Sequence, residues 1–221
     1  MIYIHHHLGL GDHIICNGLV REIYKKHDGV RLFCKYHNLP SVNFMYRDLD
    51  KFQTIGVAHD GEVHSGEHIL RVGFSFVELY KNTLGLKWDE SFYYQCVIDF
   101  NKRWDSFYFK RDFVAESKLV EKLNPSREPF ALIHKSGSDG IDRVDEGLIE
   151  KSLKKIFVKK GDTDNIFNYL SLIESASEIH CIDSSFKHLV DSFELKKPLY
   201  YHNKEQRSPL AHSMKNAWIE V

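Results

Sequence analysis

Short apolar runs and longer amphipathic stretches alternate along the chain, and this alternation predicts strands that each lead into a helix. Ile2-Tyr3-Ile4 opens a strand over residues 2–6, and residues 12–27 place Ile14, Ile15, Leu19 and Ile23 on one helical face. Arg31–Tyr36 reads as a second strand, followed by a short helix that Pro40 starts and that runs to about Arg47. Phe52–Ala58 and His68–Phe74 are short apolar runs of the kind that buried parallel strands carry. Phe76–Leu86 is helical, with Gly85 as its stop. Residues 88–124 are aromatic-rich, then charged and helical, up to a break at Asn124-Pro125.

After that break the rhythm restarts. Phe130–His134 is a strand that runs into the loop Lys135–Arg143. Lys154–Lys159 is a strand, Asp164–Ala176 a helix capped from Thr163-Asp164, and Glu178–Asp183 a strand. Ser184–Phe193 is a helix, Pro198–His202 a strand and Ala217–Val221 a last short run. Repeated strand–helix units argue for parallel sheets covered by helices, an α/β protein. The boundary falls near 110–128, giving a lobe over 1–110, a linker or helix over 111–128 and a second lobe over 129–221. The doubling is architectural, without a sequence repeat. A strand, a small-residue turn and a helix occur early, at His7-Leu-Gly-Leu-Gly-Asp12, and again late, at Asp183-Ser-Ser-Phe-Lys-His188. That geometry points backbone N–H groups at an anion, and its use in both halves predicts a cleft for a phosphorylated ligand.

Bulk properties narrow the classes. The chain has 221 residues, 43% apolar and 28% charged, which is ordinary for a globular protein with buried cores. A net charge of −1 supplies no general field for nucleic acid or an anionic membrane, so any phosphate binding has to be local. The abundant aromatics, 15 Phe and 11 Tyr, fit packed cores and offer a wall for stacking a base or a sugar. Cys16, Cys34, Cys96 and Cys181 are scattered without a Cys-x-x-Cys pair, and Cys34 and Cys181 sit in apolar runs, so buried reduced thiols are expected. No apolar run is long enough to span a membrane and no secretory signal opens the chain, so a cytoplasmic place is expected, with peripheral attachment at the inner face of a membrane left open.

The glycines of Gly9-Leu10-Gly11-Asp12 allow a tight turn and a close backbone approach to a ligand. Ile14 stands where a dinucleotide fingerprint requires its third glycine, and no Gly-Lys-Ser/Thr of a P-loop occurs. Asp12, at the helix start, reads either as a cap or first-turn acid or as a carboxylate placed at a cleft to act as general base. At the late turn, Ser184 and Ser185 can donate hydroxyls and backbone N–H groups to phosphate oxygens. Asp183 either bonds a sugar hydroxyl or caps the helix, and His188 either contacts phosphate or packs. In His5-His6-His7 a strand puts His5 and His7 on one face and His6 on the other, with His7 toward the ligand. Two such ligands do not complete a metal site, and none is expected. His37, His59, His64 and His68 lie in loop-like context and read as solvated.

The pattern strand–Gly-Leu-Gly-Asp-x-Ile–helix resembles the opening of the heptosyltransferase-like enzymes, glycosyltransferase family 9, which transfer heptose from ADP-heptose. Ile173–His188, ending Asp183-Ser184-Ser185-x-x-His188, is similar to the family's Asp-Ser-Gly-x-x-His signature, with Ser185 in place of the usual glycine. The resemblance implies two Rossmann-like lobes with parallel sheets (GT-B-like), reduced in size, and it is carried by residues 2–23 and about 130–202.

It also implies roles. Asp12 matches the family's catalytic base, with Gly9, Gly11 and His7 beside the substrate. The loop His134-Lys135-Ser136-Gly137-Ser138 would contact the nucleotide or diphosphate, where Lys135, assisted by Arg143, neutralises the leaving group. Ser136, Ser138, Asp183, Ser184, Ser185 and His188 complete the donor side. The expected activity is metal-independent transfer of a sugar from a nucleotide-sugar donor to a hydroxyl of a saccharide or lipid-linked saccharide acceptor, with no cofactor and no nucleic-acid partner. The alternative is a related α/β protein that binds a nucleotide or other phospholigand without catalysis.

Overall fold

The structure is a computed structural model and describes residues 1–63, 68–137, 139–203 and 212–221. The chain divides into two compact units. Within the described residues the first takes 1–110 with 212–213, and the second takes 111–203 with 214–221.

The first unit is built on four parallel strands, β1 (Ile2–His5), β2 (Val30–Lys35), β3 (Phe52–Val57) and β4 (Ile69–Arg71), in the order β3-β2-β1-β4. Ile4 pairs with Leu32 on one side and Leu70 on the other, which makes β1 central. After β1 come α1 (Leu10–Ile15) and α2 (Asn17–Lys26), and the predicted face Ile14, Ile15, Leu19 and Ile23 is buried. The single helix expected over 12–27 starts earlier and is interrupted at Cys16, whose ψ of 2° departs from helix. The Asn17 side chain explains the restart, since it accepts from the Tyr108 N–H and donates to the Tyr108 carbonyl. The next residue, Gly18, leaves room for the backbone of α6 (Lys102–Asp105): a Cβ at Gly18 would lie 1.9 Å from the Lys102 carbonyl oxygen.

Pro40 lies in the first turn of α3 (Leu39–Tyr46), as the sequence predicts. The strand expected over His68–Phe74 ends at Arg71, because Gly73 and Phe74 reverse the chain into α4 (Ser75–Leu84). Gly85 ends α4 in the left-handed conformation, which it adopts without a Cβ penalty. Next is α5 (Trp88–Gln95), whose Glu90 side chain accepts from the Lys87 N–H at its N-terminus. Asp89, fully buried, holds Arg103 and the backbone N–H of Ser213, tying that late residue into this unit.

The second unit begins with α7 (Phe113–Leu123), within the stretch 111–128, which packs on α8 (Leu170–Ser175). Its parallel strands β5 (Phe130–His134), β6 (Lys154–Phe157), β7 (Glu178–Cys181), β8 (Leu199–Tyr201) and β9 (Ile219–Glu220) run in the order β6-β5-β7-β8-β9. Ala131, Ile133, Val144, Ile149 and Ile182 form a core cluster on this sheet. The helix expected over 164–176 is capped by Asn165 rather than Thr163-Asp164. The Asn165 side chain accepts the Phe167 N–H, and a tight turn over Ile166–Tyr169 precedes α8. After β7 comes α9 (Ser185–Asp191).

All four cysteines are free, with Cys16, Cys34 and Cys181 buried. Among the described residues no helix is long and apolar enough to cross a membrane.

Candidate functional site

In parallel sheets, ligands bind outside the carboxyl ends of the strands, at the point where the strand order reverses direction. In the first unit that point lies between β1 and β4, and in the second between β5 and β7. The two candidate turns follow β1 and β7, and the 134–143 loop follows β5. The motifs therefore fall where each sheet is suited to hold a ligand.

At the first switch point the chain leaves β1 through His6, His7 and Leu8, and Gly9 is the extended N-cap of α1. Gly11 and Asp12 lie in the first turn. The Asp12 Oδ1 accepts a hydrogen bond from the Trp88 indole N–H at 3.3 Å. A Cβ on Gly9 would stand 2.7 Å from the Asp12 Oδ2, so the missing side chain is what lets the carboxylate lie over the turn. Burial pushes the Asp12 carboxyl up to about 6, the Trp88 hydrogen bond pulls it down, and the charge of Asp60 adds to the rise. Such a group is ionised near neutrality yet more basic than an ordinary carboxylate, which suits a general base.

Although β1 ends at His5, the expected alternation continues through the three histidines: His5 and His7 both lie against Phe74, and His6 turns to His13. His5 and His6 are both fully buried and His7 is half-buried. His5 faces Asp60 at 3.6 Å, and Lys35 faces the same carboxylate at 3.8 Å. His6 lies edge-on to His13, at 4.4 Å between ring centroids, and its Nδ1 is 2.6 Å from the His7 carbonyl oxygen. Burial lowers the His6 ring to about 4. His7 accepts the Phe74 N–H on Nε2 at 2.9 Å, stacks on Phe74 and meets Trp88, and burial lowers it as well. Gly9, Asp12 and His7 are thus gathered around Trp88.

At the second switch point His134 pairs in register with Cys181, so the segments after β5 and β7 emerge side by side. The Ser184 Oγ is 3.1 Å from the His134 Nδ1 and caps α9 by accepting the Lys187 N–H. That hydroxyl is committed to the fold. The His134 ring stacks on Phe186, and burial lowers it to about 4. The Asp183 carboxylate accepts from the Lys187 ammonium at 2.6 Å, and that buried ammonium lies 4.1 Å over the Tyr201 ring. His188 is buried within α9 and Ser185 opens it.

The basic residues of the 134–143 loop face acids of their own segment. Lys135 lies 2.7 Å from Asp142 and 3.8 Å from Glu146, and Asp142 raises its proton affinity. Arg143 holds both oxygens of Asp139. A backbone bridge between Ser136 and Asp142 closes the loop into a hairpin-like shape. Ser138, named with this loop, and His64 both lie outside the described residues.

Two Asp-x-Asp triplets of the kind that can hold a metal-bound diphosphate occur, Asp48-Leu49-Asp50 and Asp162-Thr163-Asp164. Their first acids have other partners: Asp48 takes both nitrogens of the Arg21 fork, and Asp162 binds Lys122 and the Tyr169 hydroxyl. Sequence reasoning missed Trp88, Phe74 and Lys187 as members of these sites. Lys187 sits inside the recognised motif, whereas Trp88 meets Asp12 only across 76 positions.

No protein-family model matches the chain, and no curated protein matches it in sequence. Among solved structures, a glycosyl transferase family 9 protein from Veillonella parvula superposes with a TM-score of 0.60 at 9% identity, covering 99% of this chain and 86% of its own. For the ADP-heptose lps heptosyltransferase II of E. coli the TM-score is 0.49 at 10% identity, covering 99% of this chain and 90% of that one. The first likeness shows a shared fold, so the α/β class with two parallel-sheet lobes expected from the sequence is the fold of a family 9 glycosyltransferase structure.

Proposed function

We propose that the protein is a glycosyltransferase that moves a sugar from a nucleotide-sugar donor to an acceptor hydroxyl, with Asp12 as general base. The observation that carries this reading is a carboxylate raised to about 6 at a switch-point turn, in a fold shared with a family 9 glycosyltransferase. Asp12 takes the proton of the acceptor hydroxyl as its oxygen attacks the anomeric carbon of the donor sugar. The bond from that carbon to the diphosphate breaks, and the nucleoside diphosphate leaves with the electron pair. The first unit takes the acceptor through Gly9, Gly11, Asp12 and His7.

The second unit takes the donor. Lys135 is the cation for the diphosphate and exchanges Asp142 for a phosphate oxygen on binding, with Arg143 beside it. Ser136, Ser138 and Ser185 supply hydroxyls and backbone donors. Ser184 acts through its backbone, since its hydroxyl is the cap, and Asp183, His134 and His188 frame the turn. Charge on the leaving diphosphate is met by these side chains and N–H groups, without a metal ion or cofactor.

Thermal-shift screening against UDP-, GDP- and ADP-sugars tests the reading, because a ligand of the folded state raises its apparent stability by mass action. One donor class raises the melting temperature and, with an acceptor, releases its nucleoside diphosphate. Absence of any shift across the three classes contradicts the proposal. A second reading keeps the ligand without the chemistry: the switch-point turns after β5 and β7 would serve a phospholigand-binding protein without transfer equally well. That reading predicts a shift with nucleotide alone and no released diphosphate.

A further inference from the structure

His7, Phe74 and Trp88 set aromatic surface beside Asp12. His7 lies 4.5 Å from Phe74 and 4.8 Å from Trp88 between ring centroids, and Trp88 bonds Asp12. All three rings are half-buried, in contrast to Phe92 behind them, which is fully enclosed. Phe74 has φ 55° and ψ −129°. A non-glycine residue adopts that conformation only at a cost in backbone strain. It is held by the bond from the Phe74 N–H to His7 and by the Arg71 guanidinium 4.7 Å over the Phe74 ring. Glycine would adopt this backbone without strain, so the position is spent on presenting a ring.

The charges around the wall oppose one another. Lys35 faces Asp60, and Arg71 covers Phe74. With Asp12 ionised, the formal charges of Lys35, Arg71, Asp12 and Asp60 cancel, which leaves little field for an anionic ligand. The negative face of an aromatic ring attracts the weakly positive C–H face of a pyranose. A few polar groups at the edge of such a wall then fix which hydroxyl is presented.

We propose that Trp88, backed by His7 and through it by Phe74, forms the wall on which an electrically neutral sugar ring stacks, with one hydroxyl directed at Asp12. The use made of that hydroxyl rests on the glycosyltransferase reading; the stacking does not. The acceptor is therefore a neutral glycoside rather than a uronate or a phosphorylated sugar.

Saturation-transfer NMR tests this with methyl glycosides of neutral hexoses and the matching uronic acids as probes. Neutral glycosides receive saturation at their ring C–H protons, and Trp88→Ala weakens their binding about tenfold, while Trp88→Phe, which keeps a ring, restores most of it. Preference for the uronates, neutral binding unchanged in Trp88→Ala, or no bound glycoside overturns the proposal. A protein that binds neutral glycosides on this wall yet releases no nucleoside diphosphate keeps the wall and loses the enzymatic reading. A transferase with an anionic acceptor does the reverse.

Discussion

The indole N–H of Trp88 meets the Asp12 carboxylate at 3.3 Å, joining the first residue of α5 to the first turn of α1. The hydrogen bond favours the ionised carboxylate. Burial and the nearby charge of Asp60 favour the protonated one, and together they outweigh it. A base of intermediate strength results from that opposition.

The pH dependence follows from this balance. Turnover requires ionised Asp12, so kcat/KM falls about tenfold per pH unit below the value of about 6 to which the carboxyl is raised. Trp88→Phe removes the hydrogen bond that opposes the rise, so the acid limb of the pH–rate profile moves to higher pH. A limb that stays in place in this variant removes Trp88 from the tuning of Asp12.

The same shift has a consequence for stability. Below about pH 4 both folded and unfolded states carry protonated Asp12 and the group contributes no difference. As pH rises toward about 6 the unfolded chain ionises first, so folded stability is lost across that window and stays lower above it. Asp12→Asn mimics the protonated form and stabilises the protein at pH 8 by on the order of 1–3 kcal/mol, with little effect at pH 4. Denaturant unfolding at the two pH values measures the difference.

Gly9→Ala separates the carboxylate's position from the fold. The backbone at Gly9 is extended (φ −68°, ψ 145°), so alanine fits it, but its Cβ would stand 2.7 Å from the Asp12 Oδ2. Turnover drops about a hundredfold from the displaced base, whereas the melting temperature changes little. Equal loss of both would mean that Gly9 serves the fold alone.

Much of this architecture is legible in the sequence, for local reasons. β1, β2, β3 and β5 are apolar runs between turn residues, and Ile14, Ile15, Leu19 and Ile23 carry the helical period of a buried face. Gly85 and Pro40 mark a helix end and a helix start through fixed backbone preferences. The errors come from side chains with distant partners. Asn17 restarts the helix because of Tyr108, and β4 is cut short by the turn that Phe74 makes against His7. The site divides in the same way. The glycine turn with Asp12 is local and readable. The commitments of Ser184 to capping and of Lys135 to Asp142 depend on the folded backbone, and Trp88 reaches Asp12 only through packing.

Two buried features of the first unit carry its stability. Gly18→Ala drives a Cβ to 1.9 Å from the Lys102 carbonyl oxygen, a backbone atom that cannot yield without moving α6. The expected loss is about 3 kcal/mol. Asp89→Ala strands the buried Arg103 charge and the Ser213 N–H, at about 3–5 kcal/mol. Urea unfolding of the variants reads both, and near-wild-type midpoints would contradict these contacts.

Lys135 exchanges partners if it binds the donor. Asp142→Asn removes its nearest competing acid, so nucleotide affinity rises severalfold, while Lys135→Ala lowers it about tenfold. Calorimetric titration with the nucleoside diphosphate of the accepted donor measures both. Affinity that ignores Lys135 takes the 134–143 loop out of the donor site.

The most direct test of the account is paired measurement of transfer and donor affinity in Asp12→Asn. Removing a general base while keeping the shape of the turn cuts turnover by roughly a hundredfold to ten-thousandfold and leaves the donor dissociation constant within about twofold. Turnover at the wild-type level in that variant would contradict the central claim, that this carboxylate takes the acceptor's proton.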